Sequence, residues 1–540
     1  MQRLTTGEAI AKSIIAQGTD VMFGIPGAHM YAFNDALARE SNRLRFIVTR
    51  HEQGAGYMAY GYAKSSGKVG VYTVVPGPGV LNSASALCTA YGANTPMVCV
   101  TGNVFSHLIG RGRGQLHELP DQLATLRSFI KGAERIDHPT QAPRVVADAF
   151  QLARSGRPGP TAVEAAWDVM GESAPVALTD PPEDLPPPEP DPDRIAEAAK
   201  LIAEAKNPLI VVGGGAMQAG EAVLELACLL QAPVTTHRSG KGIVSDDNPL
   251  AMLSSAAWHY FETCDLVIGI GTRLELLHFR WQSRPKGLKA VRIDIDPVEM
   301  VRLRPDVGLI ADAKSGTEAL TAALAKLVTK RASRAEEFAG HRAKGAADMA
   351  TIRPQIDYLN VIRDVLPRDG FFVEEVTQTG FVARMAFPVY EPRTYVTGGY
   401  QDNLGFGFHT ALGVKVAHPD KPVVAATGDG GFLFGVQELA TAVQHNINLV
   451  TVVFNNNAYG NVRRDQMESF DGRLMGSELV NPDFVKLAEA FGAVGLRVST
   501  PEDLRSALER AFGESGPVII EVEIERGVET SPWPFVLPGR

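Results

Sequence analysis

The feature that most constrains this chain is a series of short apolar runs, each followed by a helical pattern. RFIVT (45–49), VGVYTVV (69–75), MVCVTG (97–102), PLIVVGG (208–214), LVIGIG (266–271), VVAATGDG (423–430) and LVTVVFN (449–455) are of this kind. A strand that is apolar on both faces needs cover on both faces, as in a parallel sheet flanked by helices. Helical patterns such as GEAIAKSIIAQG and VQELATAVQH lie between these runs. The expected class is therefore α/β, with three doubly wound domains built on mainly parallel sheets.

Two segments divide the chain. Residues 173–193, SAPVALTDPPEDLPPPEPDPD, are rich in proline, which removes backbone donors and favours a stiff, extended connector. Residues 329–355 are charged and alanine-rich, and read as a short helix leading into a new domain. The expected units are 1–172, 190–330 and 355–540. Whether the first and last share a topology is not legible at this level.

Bulk properties exclude several classes. A net charge of −9 over 540 residues gives no footprint for nucleic acid or an anionic membrane surface. Cys88, Cys99, Cys228 and Cys264 form no C-x-x-C pair, so neither a disulfide framework nor a zinc site is expected. A reducing cytoplasm fits that usage. The first residues lack the apolar core of a signal peptide, and no apolar run approaches the roughly 20 residues that span a bilayer.

The most informative stretch is 423–461. A strand runs into Gly428-Asp429-Gly430-Gly431, and a helix follows. Glycines let a backbone approach a phosphate, and a helix N-terminus offers free N–H groups. A carboxylate there suits magnesium, which takes a few protein oxygens and completes its shell with phosphates and water. Asn456 follows Asp429 by 27 positions (429 to 456), room for one helix and one return strand of a βαβ unit. Both residues then lie at the carboxyl ends of parallel strands, where such sheets bind ligands.

This pattern resembles the signature of thiamine-diphosphate enzymes, specifically those of the acetolactate synthase and benzaldehyde lyase kind, and the resemblance covers essentially the whole chain. It implies a pyrimidine-binding first domain, a central Rossmann-like domain and a diphosphate-binding last domain. It implies thiamine diphosphate and Mg2+ as cofactors, with Asp429, Asn456 and the Ala458 carbonyl as metal ligands. Gly428, Gly430, Gly431, Tyr459 and Gly460 then belong to the cofactor-binding set. Leu404, in TGGYQDNLGFGFHTALG, falls at the position of the wedge that bends the cofactor. Gln378 falls at a diphosphate contact, although Thr379 replaces the family's histidine there.

The resemblance also requires an activating glutamate. Glu52, in RHEQGAGYMAYGYA, follows the strand RFIVT, and the family's glutamate bonds the cofactor's pyrimidine ring. PGPGVLN (76–82), GRPGP (156–160) and IDIDP (293–297) extend the likeness. Some relatives hold FAD on the central domain, so the GGGA turn at 213–216 leaves FAD an open alternative.

For substrate, Ala28-His29 matches the G-A-H of benzaldehyde lyase, and a histidine there is a candidate proton relay. Gln115 matches a substrate-side glutamine in one register, while His117 and Glu118 compete in another. Arg111 and Arg113 are read as solvated. Asn461, Arg463 and Arg464 stand where acetolactate synthases carry apolar residues, and Arg464 is a substrate candidate. The expected activity is a carboligase or lyase acting on 2-oxo acids, aldehydes or 2-hydroxyketones. A non-oxidative decarboxylase, a flavin-linked oxidase and a non-catalytic relative are the alternatives. The family's site lies between subunits, which implies a homodimer or homotetramer.

Overall fold

A computed structural model describes residues 1–281 and 283–538. A two-stranded antiparallel ribbon joins β1 (Gln2–Thr5) to β8 (Ser173–Val176), pairing Gln2 with Val176 and Thr5 with Ser173. Between them run β2 (Val21–Gly24), β3 (Arg45–Val48), β4 (Gly70–Val74), β5 (Met97–Asn103), β6 (Gly132–Ile136) and β7 (Pro160–Ala166). These six form a sheet in the order β3-β2-β4-β5-β7-β6, with every pairing parallel.

The central sheet contains β9 (Pro208–Val212), β10 (Val234–Thr236), β11 (Ala251–Met252), β12 (Leu266–Ile270), β13 (Lys289–Asp294) and β14 (Val307–Ile310). Its order is β11-β10-β9-β12-β13-β14. The last sheet contains β15 (Phe371–Glu374), β16 (Tyr395–Val396), β17 (Val423–Gly428), β18 (Val450–Asn455), β19 (Val494–Val498) and β20 (Val518–Glu523), in the order β16-β15-β17-β18-β20-β19. Numbered within each domain, the first and last sheets share the order 2-1-3-4-6-5, the likeness that sequence left open. The central sheet is 3-2-1-4-5-6, the dinucleotide-fold order.

The apolar runs are the sheet cores: β4, β5, β7, β9, β12, β15 and β18 are buried at every position. Two packing arrangements position the site. The outer domains share one core, in which the helix Glu52–Ser66 crosses the helix Gly407–Ala417. The crossing depends on glycine: a Cβ at Gly61 would stand 2.0 Å from the Thr410 carbonyl oxygen, and one at Gly413 would stand 1.9 Å from that of Met58. The central domain keeps its own core. The helix expected within 329–355 spans Ala335–Met349 and buries Phe338 in that central core, so it packs back on the central domain before the chain moves on.

A buried ionic cluster ties the central and last domains. The Arg238 guanidinium donates to Glu275 at 2.8 Å and to Asp402 at 2.6 Å, and Arg384 donates to Glu374 at 2.9 Å and to Asp402 at 2.8 Å. Their mutual pairing offsets the desolvation of the five charges. Among the described residues, no helix is long and apolar enough to cross a membrane.

Candidate functional site

The site residues gather at the carboxyl ends of strands next to the two switch points of the outer sheets. In the last domain β17 and β18 are neighbours, so Asp429, which opens the helix Asp429–Phe432, and Asn456, just past β18, lie on one sheet edge. Asp429 is 3% exposed. Its carboxylate accepts from the Gly430 N–H at 2.9 Å, the Ala458 N–H at 3.2 Å and the Asn481 amide at 2.7 Å. Burial raises its pKa, and these hydrogen bonds pull it back.

Asn456 donates from Nδ2 to Glu529 at 2.6 Å. Its Oδ1 is buried and has no protein partner. A buried amide oxygen without a donor is uncommon and marks a place where something else binds. The donor set of Asp429 carboxylate, Asn456 Oδ1 and loop carbonyl is all oxygen, which suits magnesium.

Steric room explains two glycines of the motif. A Cβ at Gly430 would lie 2.4 Å from the Tyr459 ring, and one at Gly460 would lie 2.8 Å from Asn456 Nδ2. Tyr459 and Gly460 therefore shape this loop from within. Gly431 faces Glu375, a fully buried carboxyl whose pKa burial pushes up to about 7. Leu404 is half-buried, one residue before Gly405, whose N–H bonds the Glu375 carboxylate at 2.5 Å.

Gln378 opens the helix Gln378–Ala386, capped by the Thr377 hydroxyl. Its Oε1 accepts from Arg464 at 3.1 Å, and its Nε2 donates to Asn461 at 3.4 Å. Arg464 also donates to the Ser531 hydroxyl at 3.3 Å, and Trp533 donates to Asn461 at 2.6 Å. Both hydrogen-bond partners of Arg464 are neutral; burial lowers its pKa, and the nearby Glu529, Glu468 and Asp465 carboxylates oppose that. Its neighbour Arg463 instead pairs with Glu478 at 3.2 Å.

In the first domain β3, β2 and β4 are adjacent, so the turns after them share an edge. Glu52 is the first residue of its helix, capped by the His51 ring, and accepts from Asn82 at 3.0 Å. The preceding turn is held by Glu438, which accepts from the backbone N–H of Arg50 at 3.0 Å and of His51 at 2.9 Å. That grip coincides with a break in the helix expected from VQELATAVQH: Val436–Glu438 is a 3-10 turn and the α-helix is Leu439–Gln444.

Ala28 starts a 3-10 turn and His29 is buried within it. His29 Nε2 contacts the Leu116 carbonyl at 3.1 Å. A carbonyl only accepts, so Nε2 carries the proton, and Nδ1 is left without a partner. His29 stacks on His117, ring centres 5.1 Å apart, and meets Trp167 in a tilted contact at 4.6 Å. Burial, and then the neighbouring His117, lower its pKa and keep it neutral. Gln115 is half-buried, and its N–H bonds Glu118, as does that of Arg113. The two competing registers of this loop thus meet in one turn: His117 reaches His29 while Glu118 serves the loop's own backbone.

None of the hydrogen bonds or ion pairs of the described residues joins Glu52, His29 or Gln115 to Asp429, Asn456 or Gln378. Sequence reading missed Asn481, Glu529, Ser531, Trp533 and Glu438, which hold the motif residues but stand in no motif of their own, and it gave no role to Asn82 within PGPGVLN.

Comparison with known proteins agrees with this architecture. Three models of thiamine pyrophosphate enzymes match in order: the N-terminal TPP binding domain at residues 4–125, the central domain at 195–322 and the C-terminal TPP binding domain at 375–522. The chain is an α/β thiamine-diphosphate-dependent enzyme that forms or cleaves carbon–carbon bonds, and it belongs to the acetolactate synthase family. It is similar to a probable 2-ketoarginine decarboxylase (AruI) of Pseudomonas aeruginosa, with 34% identity over 534 residues, covering 96% of this chain and 94% of that one. A probable acetolactate synthase large subunit of Methanocaldococcus jannaschii is 34% identical over 565 residues, covering 98% and 93%. The acetolactate synthase large subunit of Haemophilus influenzae is 31% identical over 561 residues, covering 98% and 96%.

Proposed function

We propose that this enzyme uses thiamine diphosphate with Mg2+ to cleave or join bonds at the carbonyl of a 2-oxo acid, as a decarboxylating carboligase. The observation that carries this reading is Arg464: a guanidinium whose hydrogen-bond partners are neutral, beside the metal loop, suits a substrate carboxylate. The cofactor supplies, when bound, a carbon nucleophile and an electron sink. Asp429, Asn456 and the Ala458 carbonyl hold its metal, and Gln378 with Gly428, Gly430 and Gly431 takes the diphosphate. Leu404 would pack against the cofactor's ring system. Glu52 would hold a proton toward the pyrimidine ring. His29, neutral and with Nδ1 open, accepts a proton from a substrate hydroxyl, and His117 and Gln115 border the same space.

The working units are taken as residues 1–172, 190–330 and 355–540, with β8 (Ser173–Val176), at the start of the expected connector, paired to β1 and so added to the first. The two sets of site residues share no polar contact within the chain, which supports a homodimer, or a tetramer of dimers, in which the first domain of one subunit faces the last domain of another. Four cysteines without close pairing fit a cytoplasmic setting.

A second reading is aldehyde coupling or acyloin cleavage of the benzaldehyde lyase kind, favoured by the buried His29–His117 pair. FAD is a further ligand to test. A cleft of about 860 Å³ between the first and central domains is lined by Gly213–Gly215, Arg157, Arg273 and Asp294, which suits a dinucleotide. A colourless protein that takes up no flavin would remove it.

The deciding experiment is carbon-13 NMR of products with thiamine diphosphate and Mg2+, on 2-oxo acids (2-ketoarginine and pyruvate among them), aldehydes and acyloins. Release of carbon dioxide supports the proposal. Coupling or cleavage confined to substrates without a carboxylate overturns it in favour of the second reading.

A further inference from the structure

We infer that Glu529 is a positioning residue for the metal: it fixes the Asn456 amide so that its oxygen, not its nitrogen, faces the cation. The inference rests on the reading of Asn456 as a metal ligand. An amide has two nearly isosteric ends, and only one of them binds magnesium. Left to itself, Asn456 presents either. An ionised carboxylate only accepts, so the Glu529 contact at 2.6 Å commits Nδ2 to Glu529 and turns Oδ1 the other way. That is the orientation observed, with Oδ1 buried and unpartnered. The clamp is sterically built in, since a Cβ at position 460 would lie 2.8 Å from Asn456 Nδ2 and 3.7 Å from Glu529 Oε2.

Glu529 is itself held. It lies on the segment after β20, which Arg526 ties to the metal loop by donating to the carbonyls of Asn456 at 3.3 Å and Asn457 at 2.8 Å. Further on, the Thr530 N–H bonds the Arg353 carbonyl, Gln355 donates to the Thr530 carbonyl, and Ser531 and Trp533 bond Arg464 and Asn461. Burial raises the pKa of Glu529, and the Asn456 hydrogen bond and the Arg464 charge oppose that rise. Asn481 does for Asp429 what Glu529 does for Asn456: its amide donates to the Asp429 carboxylate at 2.7 Å and to Asn455 Oδ1 at 3.0 Å. Such supporting groups are commonly worth ten- to a hundredfold in metal affinity.

The test is Mg2+ titration by calorimetry, on the full chain with saturating thiamine diphosphate, for wild type, Glu529→Ala, Asn456→Asp and Asn456→Asp/Glu529→Gln. Glu529→Ala should weaken Mg2+ about ten- to a hundredfold. Asn456→Asp alone sets a carboxylate against Glu529 with no hydrogen between them and should bind Mg2+ poorly. Adding Glu529→Gln restores a donor and should recover most of that loss. A merely structural role for Glu529 predicts no rescue, because the double variant would be the more damaged protein. Affinity of Glu529→Ala within about twofold of wild type, or a double variant no tighter than Asn456→Asp, overturns the inference. Wild type that binds no Mg2+ would instead remove the metal-site reading beneath it.

Discussion

The two halves of the site are built differently. The half on the last domain is a closed network: Asp429 has three donors, Asn456 is committed by Glu529, and the segment 526–533 ties the loop from outside. The half on the first domain is open. His29 Nδ1 and His117 Nδ1 have no partners, and Gly110, Gly112, Gly114 and His117 all adopt positive φ in the loop above them. A densely bonded polar network, here with Asn456 Oδ1 left open, resists substitution, whereas loops tolerate change and carry specificity. On the proposed reading, the metal and diphosphate contacts fall on the densely bonded half, and the histidines offered as proton relays fall on the open one.

The comparison can be broken most sharply at Glu52. Glu52→Ala should lose about a hundred- to ten-thousandfold in kcat while still binding cofactor, as for removal of a proton-transfer group. Wild-type turnover in that variant would end its proposed role. Asp429→Ala should weaken Mg2+ and cofactor retention by about a hundredfold or more, read by calorimetry, because it removes a ligand and the acceptor of three hydrogen bonds. Unchanged magnesium dependence would move the metal elsewhere.

Arg464→Gln should raise KM for 2-oxo acids about ten- to a hundredfold, the worth of a charge-assisted hydrogen bond, and leave uncharged aldehydes unaffected. An equal effect on both substrate classes would make Arg464 a structural residue. The smallest effect lies away from both halves. Gly413→Ala should lower stability by about 1–3 kcal/mol by forcing the crossed helices apart, visible as a lower unfolding temperature. No shift would mean that the crossing is looser than the 1.9 Å approach requires.

Much of this was legible in the chain. The all-apolar runs announce parallel strands because both faces need cover, and the Asp429-to-Asn456 spacing matches one βαβ step between adjacent strands. What holds these residues was not legible, for a topological reason. Asn481 returns to Asp429 through an antiparallel bridge between Ala458 and Glu478, and Glu529 arrives from beyond the last strand. Neither contact has a spacing that periodicity can reveal, and each uses one ordinary polar side chain. The segment beyond β20 closes on its own domain through Ser531 and Trp533. His29 and His117 illustrate the same limit. No motif pairs them, yet two loops far apart in the chain bring their imidazoles into a stack.

The small ribbon of β1 and β8 has a consequence for how such a protein is assembled in evolution. It sets the points at which the chain joins and leaves the first domain side by side, Gln2 against Val176. A unit whose two ends emerge together is a cassette: it can be duplicated, or moved into another gene, without unthreading its neighbours. With the same strand order repeated in the last domain, that property is what a duplication-and-insertion origin for the two outer domains would require.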